Sequence, residues 1–282
     1  MELNNSSKKS IKELLKFSII NLDKPSGPTS FLISNFIRKS LNINKTSHFG
    51  TLDPQVSGVL PVALSRACRL NEYFMHKDKT YIGIMRLHSS VSDEMLKKEI
   101  KNFIGKIKQL PPVRSRVKRA ERVREIKTFK ILERDSKDIL FEAQVEAGTY
   151  IRKLIHDLGE KIGGAHMLEL RRIKASIFSE KNSINLYDFE SAVEEYKKGN
   201  DEKLRNILIP AEKAIQQALP IIQVKSSSLK QLLTGKPLMK SDILNSLPQE
   251  NIFAVFNKDK FLAIMKKSDE KDIIARPEFV LN

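Results

Sequence analysis

The apolar positions of this chain change period several times, and the changes mark out strands alternating with short helices. Phe17, Ile19, Ile20 and Leu22 form a compact run that predicts a strand. It ends at Asp23-Lys24-Pro25-Ser26-Gly27-Pro28, whose prolines and glycine break regular structure. Thr29 or Ser30 then caps a helix carrying Phe31, Ile33, Phe36, Ile37 and Leu41. Residues 57–64 are apolar and small, with Gly58 pointing to close packing. Lys79 to Leu87 alternates as a strand, and Met95, Leu96, Ile100 and Phe103 share one side of a helix over 93–103. Two more strands are expected over 127–134 and 139–146. A helix from Tyr150 to Leu158, closed by Gly159, comes next. His166 to Arg172 reads as helical or extended, and 188–206 as one charged helix.

Strands interleaved with short helices and a hairpin predict an α+β class, with a mixed, mainly antiparallel sheet flanked by helices. Beyond Pro220 the pattern shifts to short strand-like runs at 221–224, 252–256, 261–265 and 279–281, a small β-rich module. A boundary is expected after the charged helix, near Pro210 or Pro220, which gives a domain over 11–215 and a second over 216–282, while residues 1–10 read as a polar tail. No internal repeat is visible.

Charge narrows the possibilities. The 282 residues hold 50 Lys and Arg against 34 Asp and Glu, a net +16, more than solubility needs. The general expectation is a polyanionic partner, against the plainer reading of lysines spread evenly over the surface. The single cysteine, Cys68, excludes an intramolecular disulfide and a Cys-based zinc site, reads as a small core residue, and fits a reducing, cytoplasmic setting. Residues 1–10 lack the apolar block of a signal peptide, and the longest apolar runs are too short to span a bilayer.

Candidate chemistry starts at His48-Phe49-Gly50-Thr51-Leu52-Asp53-Pro54. Pro54 restricts Asp53 to extended geometry, so the carboxylate sits on a stiff loop where it can face a ligand. An Asx turn in which Asp53 caps its own backbone explains the same residues. Arg114, Arg116, Lys118, Arg119, Arg122 and Arg124 crowd a loop opened by Pro111-Pro112, and guanidinium groups suit bidentate phosphate contacts. A solvated charged loop is the alternative. Tyr81 reads as a cross-strand aromatic. Arg152, at a helix start and off its apolar stripe, reads as a surface arginine or as the partner of a carboxylate from another loop. His48 has no companion at metal-ligand spacing. No glycine-rich phosphate loop and no serine nucleophile elbow occurs.

Several ordered stretches together resemble the TruB and dyskerin family of RNA pseudouridine synthases. They are residues 23–30; Thr46 to Pro54 with Gly58-Val59-Leu60-Pro61-Val62; the tyrosine segment Lys79 to Leu87; Gly148 to Gly159; and Gly164 to Arg172. Pro111-Pro112-Val113-Arg114-Ser115, Met85-Arg86-Leu87-His88 and Ala165-His166-Met167 resemble the dyskerin or archaeal branch, whose members work in H/ACA guide-RNA particles. The resemblance implies a catalytic domain with a PUA domain over 220–282, on which the N-terminal residues 1–10 would pack. It implies Asp53 as the catalytic carboxylate, paired with Arg152. Tyr81 would stack on the extruded base and take a sugar proton. Tyr150 and Leu170 would line the pocket, and His48 would hold the strand of the flipped-out nucleotide. The basic loop 111–124 would close on RNA. The implied partners are guide RNA, rRNA or tRNA and small accessory proteins, with no metal, no organic cofactor and no membrane. A stand-alone tRNA T-loop enzyme and an idle RNA-binding scaffold are the competing readings.

Overall fold

A computed structural model describes residues 9–111 and 118–282. The chain enters through α1 (Ile11–Lys16), capped by a reciprocal pair in which the Ser10 hydroxyl accepts from Glu13 N and Glu13 accepts from Ser10 N. Its described residues divide into two compact units, one of residues 19–207 and one joining residues 9–18 to 208–282. The expected boundary at 215/216 moves to 207/208, and residues 11–18 change sides. Both shifts have a physical cause. Phe17 stacks on Phe261 with ring centroids 5.7 Å apart, and Lys9 pairs with Glu212.

The larger unit is built on one mixed sheet. Its strands are β1 (Ser18–Lys24), β2 (Thr46–His48), β3 (Ser57–Leu64), β4 (Lys79–Leu87), β5 (Gly105–Gln109), β6 (Arg122–Asp135), β7 (Asp138–Val145), β8 (Ala165–Ala175) and β9 (Phe178–Ser179). The order across it is β1-β3-β8-β4-β7-β6-β5, with β2 on β3 and β9 on β8. Every pairing between these strands is antiparallel except β3 with β8, where Ser57 and Gly58 run parallel to Arg171 and Arg172. Helices α2 (Ser30–Ser40), α3 (Asn71–Met75), α4 (Asp93–Asn102), α5 (Ile151–Lys161), α6 (Leu186–Lys197) and α7 (Glu202–Ile207) accompany the sheet. Cys68 is a buried thiol whose pKa burial pushes up to about 11, as expected of a core residue.

Three local expectations change, and the helical or extended reading of 166–172 resolves as extended. Gly159 lies inside α5 and does not end it, because a Cβ there would stand 2.4 Å from Ala165 N. It is a close-approach glycine between helix and strand. The charged helix expected over 188–206 is two helices, interrupted at Gly199. Residues 165–175 are all strand. Strand β6 begins at Arg122, so Arg122 and Arg124 are sheet residues rather than loop residues. They are fixed by pairing of Gln109 with Arg122 and of Ile107 with Arg124. The β5 segment Gly-Lys-Ile-Lys-Gln holds a single apolar residue, too little for a strand signal.

The smaller unit continues through β10 (Ile209–Pro210), α8 (Ala211–Ala218), β11 (Ile221–Gln223), α9 (Leu229–Leu233), β12 (Leu238–Met239), β13 (Ile252–Asn257), β14 (Lys260–Lys267) and β15 (Ile273–Val280). Its five-stranded sheet runs β11-β13-β14-β15-β12. Ile222, Val224, Leu232, Phe253, Val255, Leu262 and Met265 form its core. Asp242, almost fully buried, accepts from the Ser228 hydroxyl at 2.6 Å, the Gln231 amide at 2.9 Å and Met239 N at 2.9 Å. Three donors satisfy what would otherwise be a costly buried carboxylate.

Candidate functional site

The loop between β2 and β3 is held on all sides by groups that present Asp53 outward. At its entry Phe49 N donates to Pro61 O at 2.9 Å, and the Phe49 ring stacks on Phe74 with centroids 4.9 Å apart and planes 7° from parallel. Next to Asp53, the Ser30 hydroxyl donates to Leu52 O and accepts from Leu52 N, at 3.0 and 2.9 Å. Thr29, not Ser30, caps α2, which frees Ser30 for this clamp. On the far side the buried Lys24 ammonium donates to Pro25 O and Pro54 O at 2.8 and 2.9 Å. Burial lowers the Lys24 pKa, with the charge of Asp53 opposing that shift.

The carboxylate so presented is met from α5. Arg152 Nη2 donates to Asp53 Oδ2 at 2.6 Å, and both side chains are about half exposed, at 58% and 49%. An open ion pair of this kind adds about 1 kcal/mol of stability at most, so orientation is its main effect. Asp53 Oδ1 has no hydrogen-bond partner among the described residues. The turn itself closes through Val56 N to Asp53 O, so the carboxylate does not cap its own backbone and the Asx reading fails.

Arg152 depends in turn on a residue that sequence reasoning missed. Gln109, buried on β5, donates from its amide to Tyr150 O at 3.2 Å and accepts from Tyr150 N at 3.0 Å. Tyr150 is the N-cap residue of α5 and supplies no side-chain cap, so Gln109 fixes the helix start from another strand. Only the pairing of β5 with β6 puts it there. A lone Gln among lysines carries no local signal.

Tyr81 is buried on β4, flanked across the sheet by Ala143 and Arg172. Neither cross-strand neighbour is aromatic. Leu170, on the same strand as Arg172, is in register with Gly83 and partly buried. His48 Nε2 lies 3.0 Å from Thr51 Oγ1, and its pKa is lowered by burial first and Arg172 second. The structure thus joins Asp53 to Arg152 directly. Arg172, in register with Tyr81 between β4 and β8, reaches the Asp53 loop, where its Nη2 donates to Gly50 O at 2.9 Å.

Residues 38–151 match the family model for the N-terminal domain of TruB family pseudouridylate synthase, and residues 152–216 match that of the tRNA pseudouridylate synthase B C-terminal domain. The chain is 43% identical over 230 residues to the probable tRNA pseudouridine synthase B of Nanoarchaeum equitans, covering 81% of this chain and 66% of that one. It is 41% identical over 266 residues to the protein of the same name from Pyrococcus abyssi, covering 93% and 78%. The chain belongs to the TruB family of pseudouridine synthases. Its fold is that of a chain in a Cbf5-Nop10-Gar1 complex, with TM-score 0.89, 37% identity and coverage of 99% of this chain and 91% of that one. A chain of an H/ACA RNP bound to a substrate RNA containing 2'-deoxyuridine gives 0.88 and 35%, covering 98% and 88%.

In this TruB-family chain the basic segment divides. Arg114 and Arg116 lie outside the described residues. Lys118 and Arg119 are exposed and Arg122 is half-buried, donating to Lys118 O at 3.4 Å. Arg124 is committed elsewhere. Its guanidinium covers the Gly148 turn, where a Cβ would stand 3.1 Å from Nε, and lies 3.9 Å from Glu146. A cluster of His156, Asp157 and Glu160 on α5 has metal-ligand chemistry, but Asp157 is already paired with Lys153. No helix among the described residues is long and apolar enough to cross a membrane.

Lys79, behind the Asp53 loop, makes a pH prediction. Its buried ammonium donates to the carbonyls of Met75 and Lys77, and burial, aided by Arg172, pushes its pKa from 10.5 to about 8. Between those values the unfolded chain keeps a proton that the folded chain has released. Stability therefore rises with pH in that window, by up to about 1.4 kcal/mol per pH unit, and the penalty is fully present below it. The urea midpoint is expected to climb between pH 8 and pH 10, and Lys79→Met should remove most of the climb. Equal slopes for the two proteins would mean an ordinary lysine.

Proposed function

We propose that this chain is the catalytic subunit of a guide-RNA-dependent pseudouridine synthase, with Asp53 as its catalytic carboxylate. The single observation that carries the guided reading is the extent of the likeness to the Cbf5 complex, which takes in both units of this chain. Asp53 acts at the ribose C1′ or at the base of a target uridine. The N-glycosidic bond breaks, the uracil turns over, and C5 forms the new glycosidic bond with loss of its hydrogen. Arg152 fixes one carboxylate oxygen, leaving the other for the substrate. Tyr81 stacks on the extruded base and takes a sugar proton. Tyr150 and Leu170 line the pocket, and neutral His48 holds the flipped nucleotide's strand.

A uridine inside folded RNA must be unstacked first, at a cost of roughly a few kcal/mol. The cationic run of Arg114, Arg116, Lys118, Arg119 and Arg122 supplies phosphate contacts toward that cost, and the smaller unit acts as a PUA-like RNA-binding domain. Small accessory proteins complete the particle. The names of the curated relatives favour a second reading, a stand-alone enzyme acting on the tRNA T-loop. Tritium release from 5-labelled uridine decides between them. The guided reading expects turnover of a target strand only when an H/ACA guide RNA and accessory proteins are added. Full activity of the purified chain on tRNA alone would overturn it.

A further inference from the structure

We infer that Gln109 is a positioning residue for the isomerisation, fixing the start of α5 so that Arg152 meets the Asp53 carboxylate. The inference rests on the reading of Asp53 and Arg152 as part of the reacting site. Along β5 the lysines are exposed, Gly105 and Ile107 are half-buried, and Gln109 takes the next inward position at 2% exposure. Such a position ordinarily holds an apolar residue. Here it holds an amide, and both ends of that amide go to one residue of another element. Its Nε2 donates to Tyr150 O at 3.2 Å, and its Oε1 accepts from Tyr150 N at 3.0 Å.

Helix α5 needs support at the end where Arg152 sits. Arg152 is its second residue, and with Lys153 it gives the first turn two cations and no acidic residue. Positive charge at that end opposes the helix dipole. The first N–H groups of a helix have no partner within it, and Tyr150 supplies no side-chain cap. Ile151, Leu154, Ile155 and Leu158 bury one face and set the roll of the helix, but they do not cap its first turn. Tyr150 O accepts the first helical bond, from Leu154 N at 2.9 Å, and it is the same atom that Gln109 holds.

Arg152 has little else to direct it. Its side chain is more than half exposed, and among the described residues its guanidinium bonds only Asp53. A long exposed side chain points where its backbone sends it. Displacing a reacting group by about 1 Å costs about 100-fold in rate. Gln109 makes no hydrogen bond to Arg152 or Asp53, so its effect on the pair runs through the backbone of Tyr150.

The test is a double-mutant cycle of Gln109→Met and Arg152→Met in the full chain with its RNA. It is read by single-turnover tritium release and RNA affinity, well below the melting temperature of each variant. Gln109→Met is expected to slow turnover about 30-fold with RNA affinity changed less than about 3-fold. In the Arg152→Met background the same substitution should cost less than about 3-fold. Ile107→Ala, on the same strand, is the control for destabilisation and should leave turnover within about 3-fold. An equal loss of turnover in that control would make Gln109 merely structural and overturn the inference. Full additivity of the two losses would also overturn it, while leaving the reading of Arg152 intact. A parallel loss of RNA affinity would place the effect in the basic segment that follows β5, again overturning it. Undiminished turnover of Arg152→Met would instead remove Arg152 from the reacting site, and the inference with it. Should Gln109→Met fail to fold, Gln109→Asn, which keeps the amide but withdraws it by one methylene, carries the same cycle. Its expected loss is about 10-fold, and unchanged turnover would show that the contact to Tyr150 does not position Arg152.

Discussion

Asp53→Asn is expected to reduce turnover by about 1,000-fold or more while RNA binding is retained. The amide keeps the size and shape of the carboxylate, and the supports of the turn do not involve the Asp53 side chain. Ser30 holds Leu52, Lys24 holds Pro54, and Val56 N donates to Asp53 O. The variant therefore keeps the loop and loses only the negative charge and its nucleophilic oxygen, the part that covalent or electrostatic catalysis needs. Removing a negative charge that faces a polyanion cannot weaken its attraction, so affinity should hold or rise slightly. Filter binding and single-turnover tritium release measure the two quantities separately. A parallel loss of both would show that Asp53 organises the RNA interface and would remove its catalytic assignment.

The largest effect on stability is expected at Gly58. Its φ is +104°, and a Cβ there would stand 2.2 Å from the carbonyl oxygen of Arg172 and 2.9 Å from its backbone N and C. The clash is with backbone, not with the end of a flexible side chain, and it falls in the parallel pairing of β3 with β8. Relieving it means prising apart the strands that bring Arg172 to the candidate site. Gly58→Ala should cost about 4 kcal/mol or more and lower the melting temperature by about 10 °C. Gly27→Ala is the matched control. Gly27 has φ +113° but nothing within 4 Å of the added carbon, so it bears backbone strain alone and should cost about 1 kcal/mol. Equal losses at the two positions would mean that strain, not the β3–β8 approach, makes Gly58 necessary.

The elements that were legible in advance have strong local signals. Strand β4 keeps its expected bounds because buried and less buried residues alternate along it. Helix α2 starts where Thr29 offers a cap. The elements without such signals are set by distant partners. Strand β5 exists through its pairing with β6, and that pairing also extends β6 back to Arg122. Glycine commonly ends helices, but Gly159 instead lies within α5 and admits the backbone of Ala165. The domain boundary moved because Phe17, near the N-terminus, packs on rings more than 200 residues away.

The sequence by itself determined the α+β class, the stiff Gly-Thr-Leu-Asp-Pro turn, the excess of positive charge and, through the ordered motifs, the family. These are local or compositional properties, carried by residue type and short-range spacing. Tertiary structure alone decided that Arg152 reaches Asp53, that Gln109 fixes the helix carrying Arg152, and that a buried Arg172 holds the turn before Asp53 through Gly50 O. Each of those links joins residues roughly 40 to 120 positions apart, brought together by strand order. Side-chain hydrogen bonds at that separation leave no periodicity in the sequence, because they depend on which strands are neighbours and in what register.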